Sequence, residues 1–315
     1  MSLTKDELWQ KGLYFSDLGD HKQALKFFKQ AVVLDLKYDG LNKYELWQEG
    51  LYLFNLGEYE HAIKYFTKAI ALDPKYDIAY NSRGRAYSNL GDYKHAIADF
   101  NKAIEFYSTD ADHFNRRGIC YSSIGDYERA IVDFNKAIEL KPQREEYYIN
   151  RGLAYVELKN YKQAMKDFNT AVKLRADYAI SYYHRGDLYV KLGNFPAAIM
   201  DFNEAIEISD SFVEARQLRG MSYYFLRKYE RAIKDFDRTI KDNANDDTSY
   251  FYRGMSHYHL ENFRQATKDL TKAARSYPNF VEIFKYRCMA YEMLGEEERS
   301  KADARRVTGL CKKNS

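Results

Sequence analysis

Along the chain, apolar and polar positions follow a helical rhythm that restarts every 34 residues. Gly12, Gly50, Gly84, Gly118, Gly152, Gly186, Gly220 and Gly254 mark it, with Cys288 where a ninth Gly would stand; every spacing is 34 except the first, 38. Three residues further on lie Phe15, Leu53, Tyr87, Tyr121, Tyr155, Tyr189, Tyr223, His257 and Tyr291. Twelve after the Gly comes Ala (Ala24 through Ala266), and four beyond that come Phe28, Phe66, Phe100, Phe134, Phe168, Phe202, Phe236 and Leu270. With the Gly numbered 8 in each unit, positions 4, 7, 8, 11 and 14 share one face of a first helix. Positions 20, 24 and 27 share one face of a second. Leu-Gly-Asp breaks such as Leu18-Gly19-Asp20 and Leu90-Gly91-Asp92 separate them, where Gly stops a helix. Pro74, Pro142 and Pro278 all fall at position 32, after the second helix. Small residues at 8, 20 and 27 let two backbones approach, and aromatics at 11 and 24 fill the space between them.

A helix-turn-helix of 34 residues with aromatic, Gly, Tyr, Ala, Phe, Ala and Pro at these offsets resembles the tetratricopeptide repeat (TPR). Nine copies account for nearly the whole chain: 5–38, 43–76, 77–110, 111–144, 145–178, 179–212, 213–246, 247–280 and a divergent capping copy at 281–312. The resemblance implies an all-α, right-handed superhelical solenoid of stacked helix pairs, a single domain over 1–315, whose first helices line a concave groove for peptides or partner segments. Two departures stand out. Asp39-Gly40-Leu41-Asn42 is an insertion that should loosen or lengthen the first junction. The ninth copy carries Cys288, Ser300 and Ala304 for Gly, Ala and Phe, and its polar second helix suits a solvent-facing end. Thr4-Lys-Asp-Glu7 reads as a capping box opening the first helix.

Composition narrows the function classes. The 30 Tyr are mostly packing residues of the repeat. The 49 basic and 46 acidic residues nearly cancel, which argues against a general nucleic-acid or membrane-surface binder. No apolar run approaches the roughly 20 residues of a membrane helix, and the start has no apolar signal region, so cytoplasmic is the expected location. Cys120, Cys288 and Cys311 are too few and scattered for a disulfide framework or zinc site; the first two are expected buried, the third exposed. His257 and His259 lie about 200° apart on a helix and cannot chelate one metal; His257 takes the Tyr core position, while His61 and His95 are surface residues. Asp242–Asp247 lacks the Gly and Glu of a calcium loop and reads as a polar turn between repeats. With no phosphate loop and no triad pattern, no enzyme activity and no cofactor are expected.

One charged series is not random. Arg83, Arg117, Arg151, Arg185, Arg219, Arg253 and Arg287 occupy position 7 of copies three to nine, and Asp99, Asp133, Asp167, Asp201, Asp235, Asp269 and Asp303 occupy position 23. Copies one and two lack both, having Lys11 with Phe27 and Glu49 with Tyr65. The joint presence and absence predicts contact between Arg and Asp of the same copy. The competing register pairs each Arg with the Asp of the copy before.

Positions 2, 5, 9, 12 and 13 lie opposite the core stripe of each first helix and are the expected groove. Copies one and two place Trp9, Leu13, Tyr44, Trp47, Leu51 and Phe54 there. Asn81, Arg85, Ser88, Asn89, Asn115, Ser122 and Ser123 make a polar stretch, and Ile149, Leu153 and Val156 a mixed one. Tyr183, Met221, Tyr224, Phe225, Phe251, Met255, Tyr258, Met289 and Met293 turn apolar again. Met221, Tyr224, Met255 and Tyr258 are the expected centre of the ligand site, with Met255 and Tyr258 dispensable for stability; the Trp9/Trp47 patch has hydrophobic closure of the first copy as its alternative. Position 9 never carries the Asn by which chaperone-binding relatives hold a C-terminal carboxylate, so that clamp is disfavoured. The expected function is a non-enzymatic interaction scaffold or adaptor for a protein or peptide partner. Homodimerisation, and a regulator or secreted effector that positions a catalytic partner, are the alternatives.

Overall fold

The computed structural model describes residues 3–17, 23, 26, 27, 30 and 41–313. Among these residues there are helices and no strand. Helix α1 (Lys5–Asp17) opens on the expected capping box: Thr4 N–H donates to Glu7 Oε2 at 2.8 Å and Glu7 N–H to Thr4 Oγ1 at 3.3 Å. The insertion Asp39-Gly40, the Leu18-Gly19-Asp20 break and the packing positions Ala24 and Phe28 lie outside the described residues. From the second copy onward the pairs are regular. They are α2 (Lys43–Asn55) with α3 (Tyr59–Leu72), α4 (Asp77–Asn89) with α5 (Tyr93–Phe106), and α6 (Ala111–Ser123) with α7 (Tyr127–Leu140), followed by α8 (Glu145–Glu157).

The chain divides into two compact units, Met1–Leu158 and Lys159–Ser315. The second unit begins with α9 (Tyr161–Leu174). It continues through α10 (Ala179–Lys191) with α11 (Phe195–Ile208), α12 (Val213–Phe225) with α13 (Tyr229–Asp242), α14 (Asp247–His259) with α15 (Phe263–Ser276), and α16 (Val281–Met293) with α17 (Glu297–Lys313). Within each unit a second helix packs on the first helix of its own pair and on that of the following pair, as α3 does on α2 and α4 and α13 on α12 and α14. Successive first helices also touch one another, α2 with α4 and α12 with α14 among them. The side of each unit lined by successive first helices is termed its inner face.

The repeated glycine is explained by one contact. A Cβ on Gly118 would stand 2.7 Å from the Phe134 ring, and one on Gly50 2.6 Å from Phe66. Both rings are fully buried, so neither can yield. In the ninth copy the volumes are exchanged: Cys288 fills the space, its Sγ 3.3 Å from Ser300 Oγ, and Ala304 replaces the ring. From the second copy onward one residue between the two helices has positive φ: Gly57, Gly91, Gly125, Gly193 or Gly295, or at the same position Lys159, Arg227 or Glu261. At the first of these turns Gly57 N–H bonds Phe54 O and Glu58 N–H bonds Leu53 O, which satisfies the last carbonyls of α2. The position-24 rings from Phe66 to Phe236 are wholly buried, whereas the position-11 tyrosines from Tyr87 to Tyr291 are half-buried.

Candidate functional site

The Arg–Asp series forms in the expected register. In six pairs, Arg83–Asp99, Arg117–Asp133, Arg185–Asp201, Arg219–Asp235, Arg253–Asp269 and Arg287–Asp303, Nε and Nη2 each donate to one carboxylate oxygen at 2.6–2.9 Å. Arg151 and Asp167 belong to different units. The pairs hold α4 to α5 and its equivalents together and are structural, because both oxygens and two of the nitrogens are already used.

The inner face is narrower than the expected stripe. A first helix meets its own second helix and also the copies before and after it, so positions 3, 6 and 10 are covered too, as at Ala79, Ser82 and Ala86. Positions 5 and 9 then lie at the edge of those contacts. Asn115 is only 4% exposed, accepting a hydrogen bond from Asn150 Nδ2 at 2.9 Å. Met255 is 5% exposed inside a cluster with Phe251, Leu270, Ala273 and Ile283. The expectation that Met255 is a free ligand anchor whose loss leaves stability unchanged is therefore corrected: it is a packing residue, as is Phe251 beside it, and in the first unit Ile149 is buried as well. Tyr224 O–H contacts Met255 Sδ at 3.5 Å and Tyr258 O–H contacts Met289 Sδ at 3.8 Å, so each tyrosine is engaged by the following copy. Burial, and after it the Tyr286 hydroxyl, pushes the Tyr224 phenol well above its ordinary range. Tyr183 packs on Phe212 with ring centroids 5.0 Å apart, and Met221 is half-buried.

In the first unit, Trp47 donates from Nε1 to Ser82 Oγ at 3.0 Å, binding its copy to the next. The Trp9 and Leu13 side chains lie outside the described residues. Leu51 and Asn81 are half-buried, Asn81 Oδ1 without a hydrogen-bond partner, and Asn89 is exposed with Nδ2 donating to Arg85 O at 3.0 Å. Two pockets open side by side and share Ile119 as a wall. The first, 360 Å³, is lined by Phe54, Tyr59, Arg85, Asn89 and Arg116 among others. The second, 380 Å³, includes Ser122, Ser123, Asn150, Leu153 and Glu157. Of the expected groove residues, Phe54, Arg85, Ser88 and Asn89 line the first pocket and Ser122, Ser123 and Leu153 the second; Trp47, Asn115 and Met255 serve the stack instead.

Sequence matches agree with this architecture. The description "TPR repeat" matches residues 50–91 and 152–193, and "Tetratricopeptide repeat" matches 8–38, 78–110, 111–144, 179–212 and 218–279. The chain belongs to the tetratricopeptide repeat family. None of the curated proteins matches it. Among solved structures, a tetratricopeptide repeat protein from Parabacteroides merdae is 23% identical with a TM-score of 0.61, over 80% of this chain and 98% of that one. YrrB, described as a TPR protein with an unusual peptide-binding site, is 26% identical with a TM-score of 0.52, over 59% of this chain and 96% of its own. Pseudomonas aeruginosa pilF is 20% identical with a TM-score of 0.57, over 64% and 92%.

Two features of these TPR copies escaped sequence reasoning. Nη1 of each ladder arginine reaches back 16 residues to position 25 of the preceding copy: Thr67, Asn101, Asn135, Asn169, Asn203, Asp237 and Thr271, at 2.6–3.2 Å. From the second copy to the eighth that position always carries a side chain able to accept, a signal that was present in the sequence. The other is Arg116, at a position where neighbouring copies hold Ser82, Asn150 and His184, so no column announced it. Cys120 and Cys288 are buried and Cys311 exposed, and burial raises the Cys120 thiol above its ordinary value. Among the described residues no group of His, Cys, Asp and Glu is arranged to hold a metal, and no helix is long and apolar enough to cross a membrane.

Proposed function

We propose that this TPR scaffold holds an extended segment of a partner protein along the inner face of its first helices, without catalysis of its own. The observation that carries the reading is the pair of adjoining pockets across Ile119. Two open recesses that share a wall, each mixing apolar and hydrogen-bonding groups, suit successive side chains of an extended segment. The likeness to YrrB, whose description names a peptide-binding site, supports the same use of the fold.

The test is selection of 12-residue peptides with blocked termini from a random library by the whole protein. Ser123 is exposed beside the second pocket, so Ser123→Trp plugs the groove without touching the core. Expected is a family of related peptides whose affinity falls about tenfold or more in the plugged variant, with melting unchanged. No selected family, or equal binding by the plugged variant, overturns the reading. A concentration-dependent dimer in light scattering that Ser123→Trp abolishes would make self-association the use of this face.

A further inference from the structure

Six ladder arginines hold a carboxylate within their own unit, whereas two arginines on neighbouring first helices, Arg85 and Arg116, line one pocket. Arg85 lies over the Phe54 ring at 4.5 Å, which fixes its guanidinium plane. Arg116, on the next first helix, lines the same pocket, and its Nε is buried with no hydrogen-bond partner. Neither forms an ion pair among the described residues, and no Asp or Glu lines the pocket. The acid nearest in sequence, Asp112 one turn before Arg116, feels the Arg116 charge without forming an ion pair with it; its oxygens meet Tyr147 O–H at 2.6 Å and Lys141 Nζ at 3.8 Å. Burial, and then the like charge of Arg116, holds the Arg85 guanidinium below its ordinary value. Two cations lining one pocket, one with a buried unpartnered donor, cost stability. An incoming oxyanion would relieve both the repulsion and the unsatisfied donor.

We infer that this pocket takes an oxyanion side chain, a carboxylate or a phosphate, carried next to an apolar group on the partner segment. The inference deepens the groove reading and rests on it for the source of the anion. Phe54, Tyr59 and Ile119 receive the apolar part, while Arg85 and Arg116 present N–H edges to the oxygens. The site differs from a chain-terminal carboxylate clamp in needing no free C-terminus and no Asn at position 9.

The test titrates the whole protein with 3-phenylpropionate, phenyl phosphate and neutral 3-phenylpropanol, reading the arginine Nε–Hε resonances by NMR. Saturable shifts of Arg85 and Arg116 with the anions and not with the alcohol are expected, while Arg83, held by Asp99, stays put. Arg116→Gln and, separately, Arg85→Gln should each weaken anion binding about tenfold, with unchanged melting showing that the fold is intact. The tighter of the two anions identifies the source as carboxylate or phosphate. No shift with either anion, an equal response to the alcohol, or unaltered binding in both variants overturns the site. The peptide selection separates the two readings. Peptides selected without acidic preference, together with silent anions, remove the anion site and leave the groove; anion binding without any selected peptide does the reverse.

Discussion

At the scale of single residues, the repeated glycine is a steric requirement that outweighs helix propensity. Gly118→Ala gains about 1 kcal/mol of intrinsic helix preference, but its Cβ would lie 2.7 Å from a Phe134 ring that has nowhere to go. Overpacking of this kind costs about 1–3 kcal/mol, so the variant should be less stable in urea melts; equal or higher stability would mean that the ring shifts freely. Met255→Ala deletes a buried side chain and should cost about 2–3 kcal/mol. Native thiol labelling should modify Cys311 first and leave Cys120 and Cys288 slow, in keeping with their burial. Fast labelling of Cys120 would contradict the packing of α6. The small residue at position 8 was legible because its column repeats. The burial of Met255 was not, because helical spacing alone does not tell how many neighbours surround a helix.

The helix pair is the scale on which the sequence was most readable. Arg and Asp appeared and vanished together across copies, and that joint pattern was enough to place Arg219 on Asp235 and its equivalents. What it missed is that Nη1 also ties each pair to the one before, as Arg219 does to Asn203 at 2.8 Å. The predicted consequence is an unequal pair of losses. Asp235→Ala strands a largely buried guanidinium and should cost about 3–5 kcal/mol. Asn203→Ala leaves Arg219 its carboxylate and should cost about 1 kcal/mol. A double-mutant cycle between positions 203 and 235 measures whether the two bonds act together; equal single losses would refute the hierarchy. The groove, by contrast, was only half legible. Helical spacing marked a stripe on the first helices, but contact with the copies on both sides buries Asn115, Phe251 and Met255 within that stripe.

At the scale of the whole molecule, the two units should answer acid differently. His184 packs between the Phe168 and Tyr183 rings. Burial pushes its pKa down to about 4, with Asp187 opposing and Lys191 assisting. His257 and His259, in the same unit, are also lowered by burial. A histidine whose folded pKa lies below its unfolded value of 6.5 favours folding while both states are neutral. That contribution is intact above pH 6.5 and is lost as the pH falls from 6.5 towards 4, where the unfolded chain takes up the proton first. For His184 the loss amounts to about 2 kcal/mol by pH 5. Stability in a repeat stack is a sum of local terms, so the deficit should appear around α10 rather than be shared by all nine copies. Hydrogen exchange at pH 7 and pH 5, corrected for the intrinsic rate, should show protection falling more in 159–315 than in 1–158. His184→Gln should flatten that dependence in α9 and α10, leaving a smaller slope from His257 and His259. A uniform loss along the chain, or a slope unaffected by His184→Gln, would place the acid-sensitive groups elsewhere.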